Sequence, residues 1–230
     1  VGPFLMFSST EYTKLIDSNE PKTLESFISY LRDYEMEFDC IPFYTQDIVN
    51  RVSMTPNKRF LVGGCNSGLI VIWDVALQRV FREFETTQSV ISSLLTSLDS
   101  QIVISAGDSP DICFWSIEGN SVYPIKELKG HTQGVTALAK TSDEKFLVSG
   151  SKDTTLIVWN LEDSEIFDEL LGHEDNVNCV AISYNNKYIV SGSSDNTLKV
   201  WSIETLCARE EATIKVHKDE VELVVIIKTQ

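Results

Sequence analysis

Four tryptophans stand at nearly even intervals, and no other feature of the 230 residues limits the fold as tightly. Trp73, Trp115, Trp159 and Trp201 are separated by 42, 44 and 42 residues. A second marker keeps step with them: Gly130-His131, Gly172-His173 and Val216-His217 follow one another at 42 and 44 residues. The two series hold their phase, since His131 to Trp159 and His173 to Trp201 are both 28 residues. Between them lie Lys145-Phe-Leu-Val-Ser-Gly-Ser-Lys-Asp153 and Lys187-Tyr-Ile-Val-Ser-Gly-Ser-Ser-Asp195. A period of this length is the mark of a repeat architecture, in which one supersecondary unit recurs and its copies pack on each other.

Each unit reads as four short strands. In the third, the sequence predicts strands over Gly134–Thr141, Lys145–Ser151, Thr154–Trp159 and Glu165–Leu171. Ser142-Asp143, Lys152-Asp153 and Glu162-Asp163 are turn formers that separate them. The strand segments are rich in Val, Ile, Leu and Phe, and no 3.6-residue period fits them.

The pattern Gly-His, then Ser-Gly-Ser-x-Asp, then Trp followed by Asn or Ser resembles the WD40-repeat family over roughly residues 44–230. The resemblance is strongest in the third and fourth units. It implies an all-β fold: propeller blades of four antiparallel strands arranged radially around a channel. The domain organisation expected is an N-terminal segment, residues 1–43, followed by a repeat domain, residues 44–230, of four blades plus the first strand of a fifth.

The resemblance also implies a hydrogen-bonded set in each of the two best units: His131, Ser149, Asp153 and Trp159, then His173, Ser191, Asp195 and Trp201. Aspartate would hold histidine, histidine would bond serine, and serine would bond the indole N–H. A buried indole or hydroxyl without a partner costs roughly 1–3 kcal/mol, so a chain of four satisfies every member. Serine, histidine and aspartate together also spell a hydrolase triad. A nucleophile must be exposed beside an oxyanion hole, whereas these serines lie in apolar strands, and no G-x-S-x-G elbow is present. The set also occurs twice at one offset, which suits a structural unit. No catalytic residue is therefore assigned.

The first two units depart from the pattern. Aligned on Trp73, the serine position holds Gly63 and the aspartate position Ser67. Aligned on Trp115, Ser105 is present, Ser109 replaces the aspartate, and Asp108 lies one residue away. Neither has a Gly-His pair, so these blades are expected to rely on apolar packing. Gly63-Gly-Cys-Asn-Ser-Gly68 lacks the lysine of a phosphate-binding loop. Trp73-Asp74-Val75-Ala76 lacks the arginine of the W-D-x-R pattern found in the family's ubiquitin-ligase adaptors.

The formal net charge of −15 argues against binding to a phosphate backbone. The five cysteines form no C-x-x-C pair, so neither a metal site nor a cofactor is expected. Their odd number and wide spacing fit a reducing, cytoplasmic setting. No apolar stretch approaches the ~18 residues that span a bilayer.

Both ends leave the repeat. Leu24, Phe27, Ile28 and Leu31 give an amphipathic helix over Thr23–Tyr34, suited to packing on the propeller or to a partner's groove. Val221 to Lys228 reads as the first strand of a fifth unit whose serine would fall beyond residue 230. Seven blades need roughly 290 residues. With Val1 in place of methionine, this leads to the expectation of a partial chain with an incomplete ring.

The function expected is a scaffold or adaptor that binds proteins or peptides on loops at one rim. Candidates by position are Thr132, Gln133 and Lys152, then Glu174, Asn176 and Ser194, then Lys218 and Glu220. For any single one of them the alternative is a solvated loop residue. The rival reading is a regulatory propeller joined to an enzymatic part that lies outside this sequence.

Overall fold

The computed structural model describes residues 47–203, 209–215, 220–224 and 226. The helix expected over Thr23–Tyr34, Lys218 and His217 lie outside them. Sixteen strands are present among the described residues. They are β1 (Val49–Met54), β2 (Phe60–Cys65), β3 (Leu69–Asp74), β4 (Arg79–Glu85), β5 (Ile91–Thr96), β6 (Ile102–Gly107), β7 (Ile112–Ser116) and β8 (Lys126–Leu128). Then come β9 (Val135–Lys140), β10 (Phe146–Ser151), β11 (Leu156–Asn160), β12 (Ile166–Leu170), β13 (Val177–Ile182), β14 (Tyr188–Ser193), β15 (Leu198–Ser202) and β16 (Arg209–Ile214).

These strands form four four-stranded sheets in plain chain order, with every pairing antiparallel. The repeat read from tryptophan spacing is therefore one sheet per unit. Strand limits in the third unit agree with expectation to within one or two residues. Among the described residues no helix is long and apolar enough to cross a membrane.

Turn chemistry explains the tight up-and-down path. The first turn of every unit carries Asn57, Asp99, Asp143 or Asn185, whose side-chain oxygen accepts the N–H two residues on. The residue between, Lys58, Ser100, Glu144 or Asn186, has positive φ. An Asx turn supplies that geometry locally.

The first strands β1, β5, β9 and β13 pack on one another in succession. The apolar core lies between neighbouring sheets. Phe84 on β4 meets Trp115 of the next sheet at 5.1 Å between ring centroids. Trp159 and Trp201 sit likewise in clusters shared with the sheet before, beside Leu128 and Leu170. Sheet stacks on sheet because each outer strand presents an apolar residue to the following tryptophan.

A small residue on each second strand admits this approach: Gly64, Ala106, Gly150 and Gly192, at the 42, 44 and 42 spacing. A Cβ at Gly64 would come within 2.5 Å of Ile91, at Gly150 within 2.6 Å of Val177, and at Gly192 within 2.4 Å of Val221. Ile91 and Val177 begin the next unit's first strand. Val221 fills the same slot, its N–H donating to the Ser193 carbonyl at 3.1 Å. Residues 220–224 and 226 form no ladder. Each of the four first strands β1, β5, β9 and β13 is laddered by its own unit's second strand.

Candidate functional site: the hydrogen-bonded relays and the rim they hold

Two relays run from the buried sheet interior to the loops at one end. In the third sheet the Trp159 indole N–H donates to Ser149 Oγ at 2.8 Å. Ser149 Oγ lies 2.7 Å from His131 Nε2, and His131 Nδ1 lies 2.9 Å from Asp153 Oδ2. The fourth sheet repeats this with Trp201, Ser191, His173 and Asp195 at 2.9, 2.8 and 2.8 Å. The structure thus brings together both sets of four residues.

The partners dictate the tautomer. An ionised aspartate only accepts, so Nδ1 carries the hydrogen and Nε2 accepts from the serine hydroxyl. Burial lowers the His131 pKa, and the pull of Asp153 does not overcome it. His173 is lowered in the same way, against the bond from Asp195. Burial by itself would raise the Asp153 carboxyl, but the Thr155 hydroxyl, the Thr132 N–H and His131 hold it down to about 2. Asp195, with Thr197 and the Glu174 N–H, also lies well below the ordinary carboxylate value.

These shifts have a sign. A histidine kept neutral by folding gives stability that is complete above its unfolded value of about 6.5 and is lost as pH falls. A carboxylate held low gives stability that is complete above about 3.9 and is lost toward its folded value. Urea titrations should therefore show a flat midpoint above about pH 7, a fall that sets in as pH drops through about 6.5, and a second fall below about pH 4. The upper window belongs to the histidines, because surface carboxylates do not titrate there. An unchanged midpoint from pH 7 to 5 would contradict the assignment.

The relays do more than fill the sheet. Asp153 Oδ2 also accepts the Thr132 N–H at 2.9 Å, and Asp195 Oδ2 the Glu174 N–H at 3.0 Å. Each aspartate, placed in the turn between second and third strands, thereby ties down the loop entering its own sheet. Thr155 and Thr197 complete the cradle, donating to Asp153 and Asp195 Oδ1 at 2.7 and 2.6 Å. Sequence reasoning missed both threonines, although Asp-x-Thr recurs at the same 42-residue step.

Thr132, Gln133, Lys152, Glu174, Asn176, Ser194 and Glu220 all lie on loops at this one end. Thr132, Gln133, Lys152, Glu174 and Glu220 are exposed, and Asn176 and Ser194 half-buried. The Ser151 hydroxyl donates to the Gln133 carbonyl at 3.1 Å. The Ser194 N–H donates to the Asn176 carbonyl at 2.9 Å, and the Ser194 hydroxyl donates to Glu220 Oε2 at 2.9 Å.

The second sheet reaches a related result with different atoms. Trp115 donates to Ser105 Oγ at 2.8 Å. Thr87 stands at the histidine position, and Asp108 instead accepts the Ser89 hydroxyl, the Ser89 N–H and the N–H of Val90. Polar capping therefore accompanies the apolar packing expected of this unit. Gly68, Thr154 and Asn196 take positive φ in the corresponding turns of the other sheets. Pro110 stands there in the second sheet and is locked near −65°, so the turn takes another path and the carboxylate comes from residue 108. In the first sheet Gly63 offers no hydroxyl, and the Trp73 ring lies where its Cβ would be.

Chemically the relays are closed. Ser149 and Ser191 are 0% exposed, so no substrate reaches either oxygen. Burial pushes the Cys113 thiol up to about 11, which leaves it protonated at neutral pH. Among the described residues no group of three or more His, Cys, Asp or Glu could hold a metal ion. Beside the fourth rim opens a polar cleft of about 210 Å³ lined by Glu174, Asn196, Lys199 and Thr213. Lys199 occupies the slot of Ile157, and Glu210 that of Ile166, so a 2.8 Å ion pair replaces an apolar pair.

Three stretches, residues 39–74, 122–160 and 165–202, match the family described as "WD domain, G-beta repeat". The chain belongs to the WD40-repeat family. The matched stretches contain Trp73, Trp159 and Trp201, and the last two contain the serine and aspartate of each relay. Among similar proteins, a DDB1- and CUL4-associated factor 11 homolog of Caenorhabditis elegans is 31% identical over 115 residues, 48% of this chain and 20% of that protein. Protein groucho of Drosophila melanogaster is 24% identical over 129 residues, 55% of this chain and 17% of its own length. The WD40 chain thus aligns with a fifth or less of these relatives.

Proposed function

We propose that this chain is a protein-binding scaffold or adaptor that takes a protein or peptide partner on the rim carrying Thr132, Gln133, Lys152, Glu174, Asn176, Ser194 and Glu220, with Lys218 as a further member. The observation that carries this reading is the tie from each relay to its rim loop. Asp153 and Asp195 fix the Thr132 and Glu174 backbones, and a surface ordered before binding loses less entropy on docking. One relative is named as an associated factor, which supports a place in a complex, and the inaccessible serines weigh against catalysis. The shares of 20% and 17% favour a second reading, a regulatory propeller within a larger multidomain protein. A role through W-D-x-R gains no support, since Asp74 is 2% exposed and engaged by Arg59 and the Leu77 N–H.

Affinity capture with the full-length protein tests the reading. Lys152→Glu combined with Glu174→Lys and Glu220→Lys should slow association with the captured partner about tenfold or more, with the unfolding midpoint unchanged. Equal capture by the variant would remove the rim from the account.

A further inference from the structure

The strands alternate in direction, so the β7–β8 loop lies at the end of the second sheet opposite the rim. It runs from Ile117 to Ile125, nine residues, where the β3–β4 and β11–β12 connections take four and five. This longer loop exposes large apolar side chains: Val122 is 60% exposed, Tyr123 76% and Ile125 55%.

The loop is held from within and from the neighbouring sheet. Arg82 on β4 stacks on Phe84 at 4.4 Å and donates to the Ser116 carbonyl at 2.7 Å and to the Ser121 carbonyl. The Ser121 hydroxyl accepts the Tyr123 N–H at 3.1 Å, and the Ile125 N–H donates to the Phe114 carbonyl at 2.8 Å. Apolar side chains exposed on a tethered backbone carry a hydration cost without the mobility that would spread it, and anchored aromatic residues of this kind dominate protein interfaces.

The surroundings define the partner. Glu118, Glu162, Asp163 and Glu165 are exposed around the loop. Two nearby cations are turned inward: Arg82 serves the two carbonyls, and Lys126 donates to the Leu161 carbonyl at 3.1 Å over the Phe114 ring. Arg59 is shared between Asp74 and Glu118. The loop is thus an apolar tip in an acidic collar.

We infer that the 117–125 loop is a second protein-docking site, independent of the rim, that inserts Val122, Tyr123 and Ile125 into an apolar pocket edged by lysine or arginine on a partner protein. A second copy of this chain is a poor occupant, because two acidic collars would meet.

The probe is a displayed library of random cyclic peptides, selected on the intact chain and depleted on the variant Val122→Ser, Tyr123→Ser, Ile125→Ser. Selected peptides should combine apolar residues with Lys or Arg. They should bind the triple-serine variant at least about tenfold more weakly, lose a similar factor on Glu162→Lys with Glu165→Lys, and bind the Glu174→Lys, Glu220→Lys rim variant unchanged. All the substituted side chains are exposed, and unfolding midpoints should stay equal. Failure to enrich any peptide, peptides lacking cations, or binding that follows the rim variant would overturn the proposal. So would sedimentation showing a dimer of the intact chain that the triple-serine variant cannot form.

Discussion

Replacing Asp153 by alanine should destabilise the chain by about 3 kcal/mol, lowering the midpoint of its thermal transition by roughly 6–12 °C. The size follows from what the carboxylate holds. It accepts from His131 Nδ1, the Thr132 N–H, and both the N–H and the hydroxyl of Thr155. Removing it strands several donors in a pocket where the His131 side chain is 0% exposed. Each unsatisfied donor costs about 1–3 kcal/mol, with water entry relieving part of the sum. Asparagine at 153 should cost less, since its oxygen still accepts from one side. The combined Asp153→Ala, His131→Ala variant should lose less than the sum of the single changes, because the two act through one bond. Calorimetry on the four chains checks this, and strict additivity would count against a relay.

Leucine at Gly150 should be as harmful by a different route. The backbone there already has Val177 within 2.6 Å and Val180 within 3.0 Å of where a Cβ would stand. Overfilling a packed interior costs about 1–3 kcal/mol or more, and here the strain falls on the contact between two sheets. Alanine should be milder, because Ala106 occupies the equivalent place in the second sheet with 0% exposure. Amide exchange should report the change as faster opening of β13 with β9 little affected. Equal stability of the leucine and alanine variants would mean that the sheets do not meet as described.

Asp153 and Gly150 were not equally legible in the sequence. The sheet count and the relay members could be read because whole side chains recur at fixed offsets, and Ser149, Asp153 and Trp159 reappear as Ser191, Asp195 and Trp201. The Asx turns at Asn57, Asp99, Asp143 and Asn185 recur just as regularly, and they hold even in the two units that lack Gly-His. Asp108 was visible beside the aspartate position, but its capping role was not. It sits one residue out of register, and only Pro110, barred from positive φ, accounts for the displacement. The grip of Arg82 on the β7–β8 loop was hidden for another reason. Its acceptors are carbonyls 34 and 39 residues away, and carbonyls leave no trace in side-chain identity. Exchanges between repeats, such as Ile157 with Ile166 for Lys199 with Glu210, show only once strand register is known.

Relays that support a binding rim are tested most directly by hydrogen–deuterium exchange of the full-length protein, alone and with its captured partner. Protection on binding should appear at 132–133, 152, 174–176, 194 and 220, and it should vanish together with relay order when Asp153 and Asp195 are both replaced. A partner that leaves those segments unprotected while shielding another surface would contradict that role of the relays.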